Sequence, residues 1–139
     1  MRRNRKYIYI IITAVAMAGF SSCSFIKRDI TLIDAKTAVS VDGNLMPVNL
    51  LEIFPRGTSK ISCWFQWKDA KVNTQIVARW HYVTDDVPIL EYNFNIPRKD
   101  GSGSVTLTMP EGKTLPPGSY KVSLFLNKRI LKSLAFKIE

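Results

Sequence analysis

Apolar and polar residues alternate along much of the chain after residue 60, with the period of two that is typical of a β-strand with one buried face. The apolar positions of six such runs begin at Ile61, Ile76, Leu90, Val105, Tyr120 and Leu134, and a weaker candidate covers residues 30–41. Turn-forming residues separate the runs, and Asn127-Lys128 predicts a tight hairpin between the last two. No segment after residue 23 has the stripe of an amphipathic helix. The pattern predicts an all-β, antiparallel β-sandwich of about seven strands.

Three groups of residues resemble the landmarks of the immunoglobulin fold. Cys63, Trp80 and the triplet Tyr120-Lys121-Val122 follow the order of a cysteine on strand B, a tryptophan on strand C and Tyr-x-Cys on strand F. The stretch Pro117–Val122 also resembles a strand start that is common in bacterial Ig-like and fibronectin type III-like modules. The resemblance implies an Ig-like sandwich around Trp80 and Tyr120, with apolar packing at Val122 in place of the disulfide. It implies no chemistry, because this architecture hosts many functions.

The first 22 residues have the organisation of a secretory signal peptide. A basic segment, Met1–Lys6, precedes an apolar run, Tyr7–Phe20, which only Thr13 interrupts before two small serines. The alternative is a transmembrane helix. However, the run has fourteen residues, and a helix of this length, at about 1.5 Å per residue, is roughly 21 Å long. It is too short to cross a hydrocarbon core about 30 Å thick. We therefore predict a cleaved signal segment over residues 1–22.

Residues Phe20-Ser21-Ser22-Cys23 resemble the lipobox of bacterial lipoproteins. The resemblance implies that Cys23 is lipidated on its sulfur and becomes the first residue of a mature chain anchored in the bacterial cell envelope. Residues 23–28 would then tether a domain over residues 29–139 close to the membrane. Ser24 stands where lipoproteins of the inner membrane often have Asp, which favours the outer membrane if the host has one. Ordinary signal-peptidase cleavage is the alternative.

The formal net charge of +9 overstates the basic character of the domain, because four of the basic residues precede residue 7. Residues 23–139 carry 16 basic and 11 acidic side chains. The last predicted hairpin has a basic cluster at Lys121, Lys128, Arg129, Lys132 and Lys137. We interpret it as a solvated edge that blocks pairing with other sheets, with an anionic envelope surface or glycan as the alternative. No nucleic acid partner is expected outside the cytoplasm.

Candidate catalytic and metal-binding groups are few. Two cysteines and one histidine do not supply a Cys/His metal site. Alternation places Cys63 on a buried face and His81 on an outward face, so that they would lie on opposite sides of one sheet and form no catalytic pair. Asp85-Asp86 is interpreted as a solvated turn, and 98–103 as a mobile loop without the helix that a phosphate site needs. We therefore expect no metal, no cofactor and no enzymatic activity.

Trp64, Arg79, His81 and Phe125 fall on outward positions of the predicted strands. Tryptophan and arginine often dominate binding energy at interfaces. If the strands that carry Trp64 and Arg79 are neighbours, these side chains converge on one exposed face, which we predict to be the partner surface. The alternatives are a change of parity at a bulge, or cover from the N-terminal segment.

The leading functional hypothesis is a non-enzymatic binding or assembly module for another envelope protein or an envelope polymer. A glycan- or peptidoglycan-binding module with an outward tryptophan platform is the alternative, and an enzyme is the third.

The substitution Cys23→Ser tests the predicted anchor. The variant should leave the membrane fraction and accumulate as an unprocessed precursor, because no thiol remains to be lipidated. Membrane fractionation and electrophoretic mobility measure both effects. Retention of the variant in carbonate-washed membranes would support a spanning helix instead.

Overall fold

The computed structural model describes residues 30–139, and nine β-strands form within them. They are β1 (Thr31–Val41), β2 (Pro47–Leu50), β3 (Ile53–Phe54), β4 (Lys60–Lys68), β5 (Gln75–Tyr82), β6 (Val87–Asn95), β7 (Gly101–Thr108), β8 (Gly118–Leu126) and β9 (Arg129–Ile138). The signal segment 1–22, the lipidation site Cys23 and the tether 23–28 lie outside the described residues. Within residues 30–139, no helix is long and apolar enough to cross a membrane.

The strands form two sheets that pack face to face. The first sheet has the order β2-β1-β4-β7, and the second has the order β3-β9-β8-β5-β6. Neighbouring strands are antiparallel, except that β3 and β9 are parallel. Cys63 lies on β4 of the first sheet, whereas Trp80 and Tyr120 lie on β5 and β8 of the second. Strands B, C and F of the immunoglobulin fold divide between two sheets in the same way. The predicted antiparallel Ig-like sandwich is confirmed.

Two short strands raise the count from about seven to nine. β2 has four residues and β3 has two, and both lie at the edges of their sheets. Such short strands carry no measurable alternation, which is why the sequence pattern gave no sign of them. The seven longer strands match the predicted runs, and Asn127 adopts a φ of 54° in the predicted tight turn between β8 and β9.

β3 connects distant parts of the chain. Its two residues pair with the last two residues of β9, Ile53 with Lys137 and Phe54 with Ile138. The Phe54 ring packs edge-on against Phe136, with the ring centroids 5.8 Å apart. Phe54 is almost completely buried, so this short edge strand contributes a large apolar side chain to the core.

The core lies between the sheets and is built from the inward positions of the longer strands. Trp80 and Tyr120 are each only 1% exposed, which confirms their predicted place in the centre. Phe136 joins them, because its ring stacks on Tyr120 at 5.2 Å and meets Trp80 edge-on at 6.0 Å. Cys63 and Val122 are fully buried in the same cluster, and Cys63 is a free thiol. Apolar packing therefore occupies the position of the disulfide, as expected.

Tyr120 also anchors the loop before β8. Its hydroxyl donates a hydrogen bond to the Pro116 carbonyl, four residues upstream, in the manner of the tyrosine corner of Ig-like domains. The Tyr82 hydroxyl donates to the Pro117 carbonyl at 2.7 Å, and the two tyrosine rings lie 4.8 Å apart. The two hydroxyls thus fix the path of the chain into β8.

Gly118, the first residue of β8, is required by this packing. Its φ is +143°, and a Cβ there would lie 2.6 Å from Thr84 Oγ1 and 2.7 Å from the Tyr82 ring. The close approach lets the Ser119 amide donate to Thr84 Oγ1 at 2.8 Å, which ties the start of β8 to the turn after β5. Steric room therefore explains the glycine in the Pro-Pro-Gly sequence.

Trp67 and Trp80 provide a matched pair of substitutions, because each is 1% exposed. Trp67 Nε1 donates to the Arg98 carbonyl at 3.0 Å, whereas Trp80 Nε1 has no partner among the described residues. Trp67→Phe should therefore cost about 1 kcal/mol more than Trp80→Phe, because the first leaves a carbonyl unpaired and the second removes an unsatisfied donor. Urea unfolding measures the difference, and equal costs would contradict this assignment.

Burial also predicts a loss of stability at alkaline pH. It raises the pKa of Cys63 from 9.0 to about 12, and burial together with Tyr82 raises the pKa of Tyr120 from 10.0 to about 12. Both groups then ionise in the unfolded chain before they ionise in the folded one. The contribution of these two groups to stability should be constant below about pH 9 and should be lost between about pH 9 and 12.

The share of Cys63 can be isolated with Cys63→Ala. For a pKa raised from 9.0 to about 12, that share is about 4 kcal/mol. The variant should lose less stability than the wild type across the same pH interval, whatever its stability at neutral pH. Parallel alkaline losses in the two proteins, measured by urea unfolding at each pH, would show that the thiol is not buried.

Candidate functional site

The four residues predicted to share an exposed face lie in two different sheets. Trp64 is on β4 of the first sheet, and Arg79 and His81 are on β5 of the second. β4 and β5 are consecutive but not neighbours, because the chain crosses between the sheets through residues 69–74. The prediction that Trp64 converges with Arg79 and His81 is therefore wrong.

Trp64 is covered on the outer face of its sheet and is only 6% exposed. Its Nε1 donates to the Leu45 carbonyl at 2.8 Å, and Ser102 Oγ donates to the same carbonyl at 3.2 Å. Leu45 belongs to the turn between β1 and β2, in which the Asp42 carboxylate accepts from the Met46 amide at 3.0 Å. The turn between β1 and β2, rather than a segment before the domain, thus supplies the hydrogen-bond partner of Trp64, and the tryptophan is not a free platform.

Arg79 and Phe125 lie together on the outer face of the second sheet. β5 and β8 are neighbours there, with Arg79 opposite Ser123 and Val77 opposite Phe125. The Arg79 guanidinium carbon lies 4.6 Å from the centroid of the Phe125 ring. On the other side, Arg79 Nε donates to Glu91 Oε2 of β6 at 3.1 Å. The arginine is thus positioned by two neighbouring strands, while its side chain stays 56% exposed.

His81 lies on the same face, opposite Lys121 of β8. Its Nε2 is 2.8 Å from Asp86 Oδ1 in the turn between β5 and β6. Of the predicted partner surface, Arg79, His81 and Phe125 therefore come together and Trp64 does not.

Two bulges shape this face. The pairing of β5 with β6 shifts after Trp80, so that Ile89 is an extra, unpaired residue of β6. The pairing of β8 with β9 shifts after Leu124, so that Leu131 is an extra, unpaired residue of β9. Bulges bend strands and redirect side chains. Between them the outer face is concave, with a cavity of about 520 Å³.

The cavity combines apolar and charged groups. Phe125, Ile130 and Leu90 contribute apolar surface, and Ile130 is 56% exposed. Arg79 and Lys121 contribute positive charge, and Glu91 and Asp86 contribute negative charge. We call this concave outer face of β5, β6, β8 and β9 the sheet cavity. Sequence reasoning missed Ile130 and Glu91. Strand parity alone does not reveal the bulge beside Ile130, and it does not reveal that β6, which carries Glu91, pairs with β5.

The other candidate sites have structural explanations. Cys63 and His81 belong to different sheets rather than to opposite sides of one, so the predicted placement is corrected while the pair stays separated. Asp86 is 93% exposed, as the interpretation of Asp85-Asp86 as a solvated turn expects. Within residues 30–139, no three His, Cys, Asp or Glu side chains are placed to hold a metal ion.

The segment 98–103 is only partly a loop, because residues 98–100 precede β7 and residues 101–103 belong to it. Gly101 and Gly103 belong to β7, and a Cβ on Gly103 would lie 2.5 Å from the Phe94 ring. The Asp69 amide donates to the Asp100 carboxylate at 3.0 Å, across the ends of two strands. Close packing therefore explains the Gly-x-Gly sequence.

The sheet order, the tyrosine corner and the buried tryptophan of β5 define an Ig-like β-sandwich. No known protein family and no curated protein matches the chain. Among solved structures, an immunoglobulin-like protein from Pseudomonas aeruginosa is similar, with a TM-score of 0.56 and 10% sequence identity over 80% of this chain and 97% of that one. At this identity the likeness shows the fold alone.

A second solved structure, a Pseudomonas fluorescens alkylpurine DNA glycosylase bound to DNA, has a TM-score of 0.45 and 10% sequence identity. The match covers 80% of this chain and 30% of the glycosylase. A likeness at this level carries no argument about function.

Stability measurements distinguish the two outward faces. Trp64→Ala should destabilise the domain by about 3–5 kcal/mol, because it removes a buried indole and leaves a cavity. Arg79→Ala should change stability by less than about 1 kcal/mol, because its ion pair with Glu91 is exposed. Urea unfolding of both variants measures the contrast. A large loss for Arg79→Ala would place that residue in the core and remove it from the candidate surface.

Proposed function

We propose that this protein is a lipid-anchored component of a bacterial cell envelope, in which a non-enzymatic Ig-like domain binds another envelope protein through the sheet cavity. The anchor rests on the likeness of residues 20–23 to a lipobox. The observation that carries the binding role is Arg79, which lies over the Phe125 ring beside exposed apolar side chains. Aromatic residues and arginine are enriched where protein interfaces are buried.

The arrangement of the sheet cavity suits binding more than catalysis. Its arginine and histidine are each paired with a carboxylate, at 3.1 Å and 2.8 Å. The cavity lining contains no cysteine, and Ser123 is buried and bonded to Ser133 at 2.8 Å. Ser123 is the one hydroxyl or thiol group of the lining, and its hydrogen-bond partner is Ser133 rather than the base that acyl transfer would need.

A protein partner is favoured over a glycan. The glycan hypothesis depended on an outward tryptophan platform, and Trp64 is instead covered by the turn between β1 and β2. The cavity offers Phe125 and Ile130 as apolar contacts, with Arg79 and Lys121 as cationic ones. This chemistry fits a partner segment that presents an apolar side chain next to a carboxylate.

The decisive experiment compares two double variants of the full chain. Arg79→Ala with Phe125→Ala removes the proposed contacts, whereas Lys132→Ala with Lys137→Ala removes two exposed charges elsewhere on β9 of the same sheet. A photo-crosslinking amino acid in place of Pro88, an exposed residue of the cavity lining, captures the partner in living cells. The crosslink should fall at least about 30-fold for the first pair, because hot-spot residues contribute 2 kcal/mol or more.

The control pair should keep the crosslink. Thermal melting verifies that both variants remain folded. An undiminished crosslink in the folded Arg79 and Phe125 variant would overturn the assignment of the sheet cavity as the binding surface.

A further inference from the structure

We propose that the end of the sandwich at which β1 begins is a docking surface for the anionic headgroups of a lipid bilayer. The inference goes beyond the binding role of the sheet cavity and rests on the proposed anchor at Cys23. It concerns which part of the domain faces the membrane.

The pairing registers show which loops share this end. Thr31 at the start of β1 pairs with Lys68 at the end of β4, and the loop 69–74 follows directly. Trp67 pairs with Gly101, which brings the loop 96–100 to the same end. The turn between β8 and β9 joins them, because Leu126 pairs with Ile76 near the start of β5. We call this set the basic end.

Charge divides the domain between its two ends. The exposed basic residues of the basic end are Lys68, Lys71, Arg98, Lys99, Lys128 and Arg129. Its acidic residues are Asp69 and Asp100. The loops and strand ends of the opposite end contain the acidic residues Asp42, Asp85, Asp86, Glu111 and Glu139. They contain the basic residues Arg56, Lys60 and Lys113. One end is therefore strongly positive and the other weakly negative.

The acidic side chains of the basic end are already engaged. The Asp100 carboxylate accepts the Asp69 amide at 3.0 Å, and the Asp69 carboxylate lies 3.9 Å from Lys99 Nζ. Their charges therefore face loop groups, while the neighbouring Lys68, Lys71 and Lys128 are exposed. The net field beyond this end is that of a cluster of cations, which attracts an anionic surface.

The loops that carry these charges are ordered by backbone hydrogen bonds. The Ala70 amide donates to the Lys99 carbonyl at 2.9 Å, and the Asn73 amide donates to the Ile96 carbonyl at 2.8 Å. Binding to a surface therefore needs little further ordering of the backbone. Val72 projects from the first loop between Lys71 and Asn73 and is 59% exposed. An apolar tip flanked by lysine suits the interface between headgroups and acyl chains.

The length of chain before β1 brings this end to the bilayer. Seven residues lie between Cys23 and Thr31, so the two Cα atoms are at most about 28 Å apart when the chain is fully extended. β4 alone has nine residues, so the sandwich is roughly 30 Å long. A lipid on Cys23 therefore keeps the start of β1, and with it the basic end, within about 28 Å of the headgroups. The opposite end lies about a strand length away from this point of attachment. Charge and tether favour the same orientation.

The test measures which end is shielded by the membrane. The full chain is matured in bacterial membranes and reconstituted into vesicles. An environment-sensitive dye is attached to the thiol of Val72→Cys, and the matched control carries the dye at Thr114→Cys, at the opposite end. Cys63 is buried and lipidated Cys23 has no thiol, so each variant takes one dye. In vesicles containing phosphatidylglycerol, the dye at residue 72 should be shielded from an aqueous quencher and the dye at residue 114 should not. In pure phosphatidylcholine, the difference should disappear.

Charge reversal supplies the second arm. Lys71→Glu with Lys128→Glu, in the Val72→Cys chain, should lower the docked-to-undocked ratio at least about 25-fold, because each basic residue near an anionic surface contributes about fivefold. Lys132→Glu with Lys137→Glu makes the same change of charge on β9 and should preserve the shielding. Added salt should weaken the docking.

Each contrary outcome is distinguishable. Equal quenching at residues 72 and 114 in protein that floats with the vesicles would overturn the docking surface and leave the anchor intact. The docking surface would also be overturned if residue 72 stayed shielded in the Lys71→Glu and Lys128→Glu variant. Loss of shielding on addition of inorganic phosphate at constant ionic strength would overturn it too, in favour of a discrete phosphate site. If the protein fails to float with the vesicles and takes up a second dye at Cys23, that cysteine is not lipidated. This outcome would overturn the anchor and this inference with it.

Discussion

Aromatic packing between the sheets is the interaction on which the rest of this structure depends. The Phe136 ring contacts both Tyr120 and Trp80, and all three are almost fully buried. Each such side chain removes some 150–250 Å² of surface from water, which corresponds to roughly 4–6 kcal/mol before entropy is counted. No disulfide crosses the core near Cys63, and these three rings all belong to the second sheet. Ring contacts between the two sheets come from Phe94 on β6, which lies 5.1 Å from Phe65 and 5.8 Å from Trp67 on β4. Because side chains alternate along a strand, burying Trp80 also directs Arg79 and His81 outward.

The sequence was sufficient for the sandwich but not for the arrangement of its outer faces. Seven strands, the tight turn at Asn127 and the central aromatic residues follow from period and turn chemistry, which are local. Whether two consecutive strands are neighbours depends on where the chain crosses between sheets, and the period of β4 and β5 is the same in either case. The hydrogen-bond partner of Trp64 could not be identified from the sequence either, because it is the backbone carbonyl of Leu45, a group that every residue possesses.

The two proposed contacts of this domain use perpendicular directions. The sheet cavity opens along the normal to the second sheet, whereas the basic end lies along the strand axes. A partner bound in the cavity would therefore lie beside the domain and parallel to the bilayer, without competing for the lipid surface. The bulges at Ile89 and Leu131 flank that lateral face, which is concave.

The parallel pairing of β3 with β9 has a consequence for the order of folding. Ile53 and Phe54 have no sheet partner until Lys137 and Ile138 have been synthesised, because β9 is their neighbour in the second sheet. Closing a loop of this length is entropically costly and slow compared with forming the hairpin of β8 and β9. The ring of Phe54 also waits for Phe136. A chain that is still emerging from a ribosome therefore keeps an unfinished core until β9 has been synthesised.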